Sequence, residues 1–327
     1  MTVPAPRHGG ALAEAERRFG HPRAAWLDLS TGINPNPWPA DHLAIDWHRL
    51  PDPEDLQALE TAAARHFGCA PDRLCALPGS EAGLRLVGEI LEGPAFHRSP
   101  GYGTHGEMLA GIRPLATNDL DQADDATLLL ANPGNPDGRL FPRETVLALL
   151  ARRGSHGWLL VDEAFADCHP EASLAPFVAD DRRLLSFRSF GKFFGLAGVR
   201  LGFVLGPAPF IARLRARLGS WPLSAAAIAI GHAAYRDQAW IAATRKRLAE
   251  QAARLDALLA NAGLAAAGAS PLFRLVRCPD AGRLFAHLAQ RAILTRPFAD
   301  DGAHLRFGLP ADAAAMARLA AALAEHG

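Results

Sequence analysis

The sequence predicts an α/β protein with a mostly parallel central sheet in a large domain and a smaller α+β domain. From about Pro51 onward, short runs rich in Val, Leu and Ile alternate with longer helix-like segments, the pattern of βαβ units. Most of these runs are continuously apolar, which is typical of strands buried on both faces. After Pro207 the pattern changes to long Ala/Leu/Arg helices and a few short strands. A chain of 327 residues suits two domains, and we expect a large one over 36–214 and a small one from 1–35 and 215–327.

The segment from Asp52 to Gly68 carries the start and stop signals of a helix. Asp52 can cap the first turn, Pro53 suits the first helical position and Gly68 suits the end. Further helices are expected over 238–261 and from Asp312 onward. The predicted strands are, in chain order, Leu74–Leu77, Thr127–Ala131, Trp158–Val161, Leu184–Phe187, Leu201–Leu205, Phe273–Val276 and His304–Phe307.

Composition and charge argue against several classes of function. Lysine plus arginine and aspartate plus glutamate both total 34, so no net field favours nucleic acid or an anionic membrane. The N-terminal stretch is charged at Glu14 and Glu16, where a signal peptide is apolar, and the longest apolar run, 225–230, is too short to span a bilayer. No pair of histidines has the close helical spacing of metal ligands, and the four cysteines are too scattered for a disulfide framework. We therefore expect a cytoplasmic protein with no metal site.

Lys192 lies in the middle of Ser-Phe-Gly-Lys-Phe-Phe-Gly-Leu-Ala-Gly-Val-Arg, which runs from Ser189 to Arg200 directly after a predicted buried strand. A lysine among glycines and aromatic residues is unusual for a protein surface. A lysine that forms a Schiff base must lose its ammonium proton, and desolvation together with nearby cations favours that loss. Lys192 is therefore the candidate catalytic lysine; an ordinary loop lysine is the alternative.

The groups that pyridoxal 5′-phosphate (PLP) would need around its ring occur elsewhere in the chain. Asp162, directly after a predicted strand, can keep the pyridine nitrogen protonated so that the ring accepts electrons. Asn135, in Asn-Pro-Gly-Asn-Pro-Asp-Gly, can donate to the phenolate oxygen, and Tyr102, between glycines, can stack on the ring. Singly, these residues also fit a helix cap, a turn and a loop aromatic, so it is their coincidence that favours the cofactor.

A cofactor phosphate needs backbone amides at a helix N-terminus together with a cation and a hydroxyl. Gly79, Ser80 and Glu81 open a predicted helix directly after a predicted strand. Arg200 can supply the cation and Ser189 the hydroxyl. Gly-Ser before a helix is by itself more often a cap, so the predicted phosphate site depends on these residues meeting in space.

Asn-Pro-x-Gly, then Asp, then Ser-x-x-Lys, then Arg eight residues after the lysine is a pattern that resembles fold-type-I PLP enzymes. The branch that the chain resembles most is that of histidinol-phosphate aminotransferase, and the resemblance covers nearly the whole chain. It implies the PLP-dependent transferase (aspartate aminotransferase-like) fold, PLP as cofactor and a homodimer. The cofactor-binding set expected from the resemblance and the preceding motifs is Gly79, Ser80, Glu81, Ser189 and Arg200 at the phosphate, and Tyr102, Asn135, Asp162, Phe165 and Lys192 around the ring.

Three segments resemble the threonine-phosphate decarboxylases of the cobalamin pathway, namely His8-Gly9-Gly10, the stretch 27–35 and Asp162-Glu163-Ala164-Phe165. Aminotransferases usually have a tyrosine at the position of Phe165, whose hydroxyl bonds to the cofactor oxygen; without it, Asn135 is the main donor. The resemblance implies a PLP-dependent carbon–carbon lyase that decarboxylates L-threonine O-3-phosphate to (R)-1-aminopropan-2-ol O-2-phosphate. Its catalytic residues would be Lys192 and Asp162.

This substrate carries a carboxylate and a phosphate, and two arginines would bind them. Arg306 and Arg296 match arginines that bind substrate anions in the family, and planar bidentate pairing favours arginine over lysine for such anions. We assign Arg306 to the carboxylate and Arg296 to the phosphate, with His8 and Gly9 closing over the site. A cross-strand ion pair is the alternative role of Arg306. The remaining expected substrate contacts are Gly32 and Asn135.

Four positions depart from the family pattern. Gly191 replaces a serine or threonine that adds a hydroxyl to the phosphate site, and Leu50 replaces a tyrosine that reaches the partner subunit's cofactor phosphate. Gly32 replaces a substrate-contacting asparagine, and Asp137 replaces the usual threonine of the turn. Threonine phosphate and serine phosphate both remain candidates, because one methyl group changes binding by only about 1–3 kcal/mol.

Two other functions remain open from the sequence. An aminotransferase acting on histidinol phosphate or a related phosphorylated amine would use the same cofactor residues. A catalytically inactive binding partner of cobamide enzymes would share the fold, but it would not need Lys192, Asp162 and both arginines.

Overall fold

The computed structural model describes residues 9–299 and 301–326 of the chain. His8, which we expected to close over the substrate, lies outside the described residues. The described residues form two compact units: a larger unit of 37–135 and 139–242, and a smaller unit made of the described parts of 1–36, 136–138 and 243–327. The last change of unit falls after Ala242, whereas the sequence-based domain limit is at 214, and the domain limits stay a prediction.

The helices follow the local signals closely. The helix expected over 52–68 spans Pro53–Phe67, with the Asp52 carboxylate accepting a hydrogen bond from Glu54 N at 2.9 Å and Gly68 ending it at φ 75°. The helices are α1 (Leu12–Phe19), α2 (Pro53–Phe67), α3 (Ser80–Gly88), α4 (Arg143–Ala151), α5 (Phe190–Phe193), α6 (Ala208–Leu218), α7 (Ala225–Arg236), α8 (Gln238–Asn261), α9 (Ala281–Ala289) and α10 (Ala313–Ala324). No helix among the described residues is both long enough and apolar enough to cross a membrane.

All seven predicted strands are present, although the ends of several differ by one to three residues. The strands are β1 (Leu27–Asp28), β2 (Leu74–Leu77), β3 (Ala95–Ser99), β4 (Arg113–Ala116), β5 (Thr127–Ala131), β6 (Leu159–Asp162), β7 (Leu184–Ser189), β8 (Gly202–Leu205), β9 (Ala265–Ala267), β10 (Phe273–Arg277), β11 (Ile293–Leu294), β12 (Arg296–Phe298) and β13 (Asp301–Gly308).

Seven strands of the larger unit form one sheet in the order β2-β8-β7-β6-β5-β3-β4. The strands from β3 to β7 are parallel to one another, and β8 is antiparallel to both β2 and β7. The predicted α/β class with a mostly parallel sheet is therefore confirmed. Because parallel strands end at the same edge, the residues that end or follow β5, β6 and β7 gather there.

Two faces of this sheet have different contents. Leu160 of β6 and Leu185 of β7 belong to the same buried apolar cluster as residues of α3 and α6. Successive side chains of a strand point to opposite faces, so Asp162 and Ser189, two and four residues further along, share that face. The carboxyl ends of β6 and β7 thus present one carboxylate and one hydroxyl on the α3 side of the sheet.

The smaller unit contains a four-stranded antiparallel sheet in the order β12-β13-β10-β9 and a separate parallel pair of β1 with β11. In the register of β12 and β13, Arg296 lies directly opposite Arg306. The pairing of these two strands therefore brings together the two arginines that we assigned to the substrate anions.

Candidate active site

Lys192 lies in the short helix α5, immediately after β7 ends at Ser189. Phe190, Phe193 and Phe194 are completely buried, because their spacing of three and four residues puts them on one side of this turn. Phe190 stacks on Phe194 with 4.6 Å between the ring centroids. These aromatic contacts hold the segment in place and leave Lys192 half-buried.

Asp162 ends β6 and is buried, with both carboxylate oxygens engaged. Its Oδ1 accepts a hydrogen bond from Ala164 N at 3.0 Å, and its Oδ2 lies 2.9 Å from His105 Nε2. When the carboxylate is ionised it can only accept, and His105 Nε2 is then the donor of this bond. His105 is completely buried and therefore fixes the direction in which Asp162 points. We did not predict His105, since it lies 57 residues from Asp162 in sequence.

Tyr102 lies next to this pair, half-buried, and its ring packs edge-on against His105 at 5.8 Å. Burial, followed by the negative charge of Glu81, raises the pKa of the Tyr102 phenol. Glu81 accepts hydrogen bonds from Thr104 Oγ1 at 2.9 Å and from Arg85 Nε at 3.1 Å. The Glu81 carboxylate thus ties the start of α3 to the turn that carries Tyr102 and His105, and its role as a cofactor ligand stays a prediction.

Gly79 and Arg200 meet at the N-terminus of α3. Gly79 is the residue before the helix and has φ 92°, a conformation that favours glycine. A Cβ atom added at Gly79 would lie 2.6 Å from Arg200 Nη2, so the guanidinium occupies the space above this glycine. Ser189 pairs with Gly202, two residues after Arg200. A cation, a hydroxyl and the amides that open α3 from Ser80 onward are therefore available to an anion.

Asn135 follows β5 in a loop that closes on itself. The Asn132 side chain accepts a hydrogen bond from Phe141 N at 2.9 Å and donates one to Phe141 O at 3.1 Å. Asn132 N also donates to Asp162 O at 2.9 Å, which ties the loop to the end of β6. Asn135 is half-buried within this loop.

Phe165 is buried, and the Lys192 Nζ lies 6.0 Å from the centroid of its ring. The position therefore presents an apolar ring to the lysine and has no hydroxyl. Three features fit the three reactive parts of PLP. The buried Asp162 carboxylate fits the ring nitrogen, the space between Gly79 and Arg200 fits the phosphate, and Lys192 fits the aldehyde.

Arg306 of β13 is buried, and its Nη2 donates to Ser30 O at 3.0 Å. Its guanidinium carbon lies 4.9 Å from the ring centroid of Phe273. Burial, followed by the positive charge of Arg296, lowers the pKa of Arg306 to about 10. A bound anion would relieve the repulsion between the two guanidinium groups, so the pair has the chemistry of a carboxylate or phosphate site.

Gly9 and Gly32 flank Ser30 in the same unit. Gly10 N donates to Ser30 Oγ at 2.7 Å, and Ser30 Oγ donates to Asp28 Oδ1 at 2.5 Å. Gly9 therefore lies beside the residue whose carbonyl oxygen accepts from Arg306, and Gly32 is buried two residues further on. Among the predicted substrate residues, the smaller unit thus groups Gly9, Gly32, Arg296 and Arg306 around Ser30 and β13.

Gly191 departs from the family pattern for a steric reason. A Cβ atom added there would lie 2.6 Å from the Cα of Ala197 and 3.2 Å from its nitrogen. The backbone after α5 therefore occupies the place of a side chain, and the hydroxyl that many relatives have at this position has no room in this chain.

The chain is similar to known proteins over nearly its whole length. The family model described as aminotransferase class I and II matches residues 39–323. Threonine-phosphate decarboxylase from Pseudomonas aeruginosa is 43% identical, covering 97% of this chain and 96% of the relative. Threonine-phosphate decarboxylase from Sinorhizobium sp. is 40% identical, covering 97% of each.

Among solved structures, the chain is similar to histidinol-phosphate aminotransferase from Sinorhizobium meliloti, determined in complex with pyridoxal 5′-phosphate. The TM-score is 0.83 at 24% identity, covering 96% of this chain and 94% of that structure. This likeness supports the fold, and it agrees with the sheet described above.

Replacing Gly191 with serine tests the steric account of that position. We expect Gly191→Ser to destabilise the protein by about 1–3 kcal/mol, because the new Cβ overlaps Ala197. Gly198→Ser is the matched control, since a Cβ there would meet nothing within 4 Å. Urea unfolding of both variants measures the difference, and equal stabilities would contradict the account.

Proposed function

The chain belongs to the aminotransferase class I and II family, and from this premise we propose that it decarboxylates L-threonine O-3-phosphate. The products are CO2 and (R)-1-aminopropan-2-ol O-2-phosphate, a precursor in cobalamin biosynthesis, which makes the chain a PLP-dependent carbon–carbon lyase. The observation that carries the proposal is the near-full-length similarity to the two threonine-phosphate decarboxylases. Phe165 supports it, because it stands where we expect a tyrosine in the aminotransferases.

Groups of the larger unit would hold the cofactor. Arg200, Ser189 and the amides that open α3 would bind its phosphate, Asp162 would pair with its ring nitrogen, and Tyr102 would pack against its ring. When bound, PLP supplies the sink for the electron pair left on the substrate Cα when the carboxylate departs.

The remaining steps use the side chains of the chain itself. Asp162, oriented by His105, would hold the proton on the ring nitrogen, and Asn135 would donate to the ring oxygen. Lys192 would hold PLP through its amine and would supply the proton that replaces CO2 at the substrate Cα. Because Phe165 has no hydroxyl, position 165 offers no second donor to the ring oxygen, and Asn135 would be the main donor.

The substrate anions are bound by the arginine pair of the smaller unit. Arg306 takes the carboxylate and Arg296 the phosphate, each through charge-assisted hydrogen bonds. Gly9 and Gly32 contact the substrate next to Ser30, whose carbonyl oxygen accepts from Arg306.

The alternative is an aminotransferase acting on histidinol phosphate or a related phosphorylated amine. It would share the cofactor residues, and the solved structure named above supports it at the level of the fold alone. The two reactions differ in which bond of Cα is broken, and only the aminotransferase needs a 2-oxo acid as amino-group acceptor.

We also propose that the chain is cytoplasmic and acts as a homodimer. Three large apolar side chains support the dimer, because Trp47, Leu50 and Trp221 are more than half exposed. Exposed aromatic and aliphatic side chains of this size are typical of protein–protein interfaces. The equal numbers of acidic and basic residues favour a chain that binds neither nucleic acid nor a membrane surface.

The decarboxylase proposal predicts product formation from a single substrate. Purified protein incubated with PLP and L-threonine O-3-phosphate, without any 2-oxo acid, should release CO2 and the phosphorylated amine in equal amounts, as measured by mass spectrometry. Lys192→Ala should release neither. Turnover that requires a 2-oxo acid and yields no CO2 would contradict the proposal and select the aminotransferase.

The arginine pair predicts a trade-off between stability and binding. Arg296→Gln should raise KM for threonine phosphate about 10- to 100-fold, since a charge-assisted hydrogen bond to the phosphate is lost. The same change should not lower the melting temperature of the unliganded protein, because it removes a like charge beside Arg306. Arg277→Gln, at an exposed position of β10, is the control and should leave KM unchanged. An equal effect of both substitutions on KM would count against the assignment of Arg296.

A further inference from the structure

A buried network of charged side chains lies where β6 and β7 end. Arg188 Nη1 donates to Glu163 Oε2 at 3.0 Å, and Arg188 Nη2 donates to Asp167 Oδ1 at 2.7 Å. His66 Nε2 lies 2.9 Å from the same Asp167 oxygen. All four side chains are at most 4% exposed.

This network lies on the face of the sheet opposite the cofactor residues. Successive side chains of a strand point to opposite faces of the sheet. Arg188 therefore points away from the face that carries Ser189, and Glu163 points away from the face that carries Asp162. The guanidinium carbon of Arg188 lies 4.4 Å from the ring centroid of Phe67 in α2, on the side away from α3. The same two strand ends thus carry cofactor residues on one face and the charged network on the other.

The contacts of Glu163 bind the two strand ends to each other. Glu163 N donates to Phe187 O at 2.9 Å, which continues the ladder between β6 and β7. Its carboxylate accepts from Ser173 Oγ at 2.7 Å and from Leu174 N at 2.5 Å, in addition to Arg188. Both carboxylate oxygens of Glu163 therefore accept a hydrogen bond. Two of the donors, Ser173 and Leu174, belong to the segment that connects β6 to β7.

Buried charges are costly to desolvate, and removing one member of such a network is strongly destabilising because it leaves a buried charge without its partner. A hydrophobic contact would join β6 to β7 with less penalty but with weaker control of direction, because dispersion has no preferred angle. The fork of Arg188 bridges two carboxylates at fixed angles. This geometry sets the position of Arg188, and with it the backbone that leads through Ser189 to Lys192.

We infer that Arg188, bridged to Glu163 and Asp167, is a positioning residue for the cofactor site. It holds the ends of β6 and β7 in register so that Asp162 and Lys192 stay at the separation that the cofactor requires. The inference concerns the cofactor site alone and holds for a decarboxylase as well as for an aminotransferase. It differs from a purely stabilising role because it predicts an effect on cofactor binding beyond the loss of stability.

Two pairs of variants separate positioning from stability. Arg188→Lys keeps the charge but cannot reach both carboxylates, and its matched control is Arg153→Lys. Arg153 is equally buried and donates to Leu149 O, Ala123 O and Ala126 O. These contacts place it at the amino end of β5, whereas the candidate site lies at the carboxyl end.

The second pair removes only a charge. Glu163→Gln keeps the size of the side chain, and Glu60→Gln is its control. Glu60 is also buried and accepts from one backbone amide, Ala76 N, and one arginine, Arg215. Because neither control residue adjoins a predicted cofactor ligand, both controls report the cost of disturbing a buried ionic group.

The readouts are the melting temperature of the PLP-free protein, the Kd for PLP from quenching of tryptophan fluorescence, and the visible absorbance maximum of the bound cofactor. We expect all four variants to melt lower than the parent. We expect Arg188→Lys and Glu163→Gln to bind PLP about tenfold or more weakly, since small displacements of positioned groups carry costs of that order. These two variants should also shift the absorbance maximum and lower kcat more than they raise KM.

The controls should bind PLP as the parent does. If Arg188→Lys yields no folded protein, Glu163→Gln decides, since it retains the shape of the site. A Kd for PLP and an absorbance maximum that equal those of the matched control, in either folded variant, would overturn the inference and leave the network a purely stabilising one.

Discussion

The parallel alignment of β5, β6 and β7 is the constraint on which the candidate site depends. These strands are buried along their whole length, and their polar site residues occur only at or beyond the carboxyl end. Because the three strands end at one edge, Asn135, Asp162 and Ser189 come to the same edge although they are far apart in sequence. A shift of β6 by one residue would turn Asp162 away from the α3 face and bring Glu163 to it. The register of this sheet therefore decides which of the two acids lies on the α3 face.

Charged side chains have different surroundings on the two faces of these strand ends. On the α2 side, Glu163 and Asp167 both accept hydrogen bonds from the buried Arg188 within the protein. On the α3 side, the Arg200 guanidinium is exposed and lies above Gly79 at a helix N-terminus, which suits an incoming phosphate. In the smaller unit, Arg296 and Arg306 lie opposite each other on β12 and β13, and this pair of like charges also suits an anion.

Much of the larger unit could be predicted from local sequence, because strands buried on both faces read as continuous apolar runs. β3 was missed because His97 and Arg98 interrupt its apolar run, and β4 because three of its four residues are exposed. The segment around Lys192 and the site formed by Gly79 and Arg200 were predicted from short motifs and the family resemblance. His105 and the contacts of Arg188 were not, since they join residues far apart in the chain and nothing in the local sequence distinguishes them. The reason for Gly191 was equally hidden, because it depends on where the backbone of Ala197 returns.

We propose that Lys192 carries the cofactor, and the composition of the chain allows a direct test. The sequence has only two lysines, Lys192 and Lys246, and Lys246 is exposed in α8. Reduction of the PLP-loaded protein with borohydride, followed by peptide mass spectrometry, identifies the labelled amine. The account predicts one pyridoxyl group per chain, on the peptide that contains Lys192, with Lys246→Arg labelled to the same extent. Label on Lys246 or on the terminal amine, with Lys192 unmodified, would contradict it.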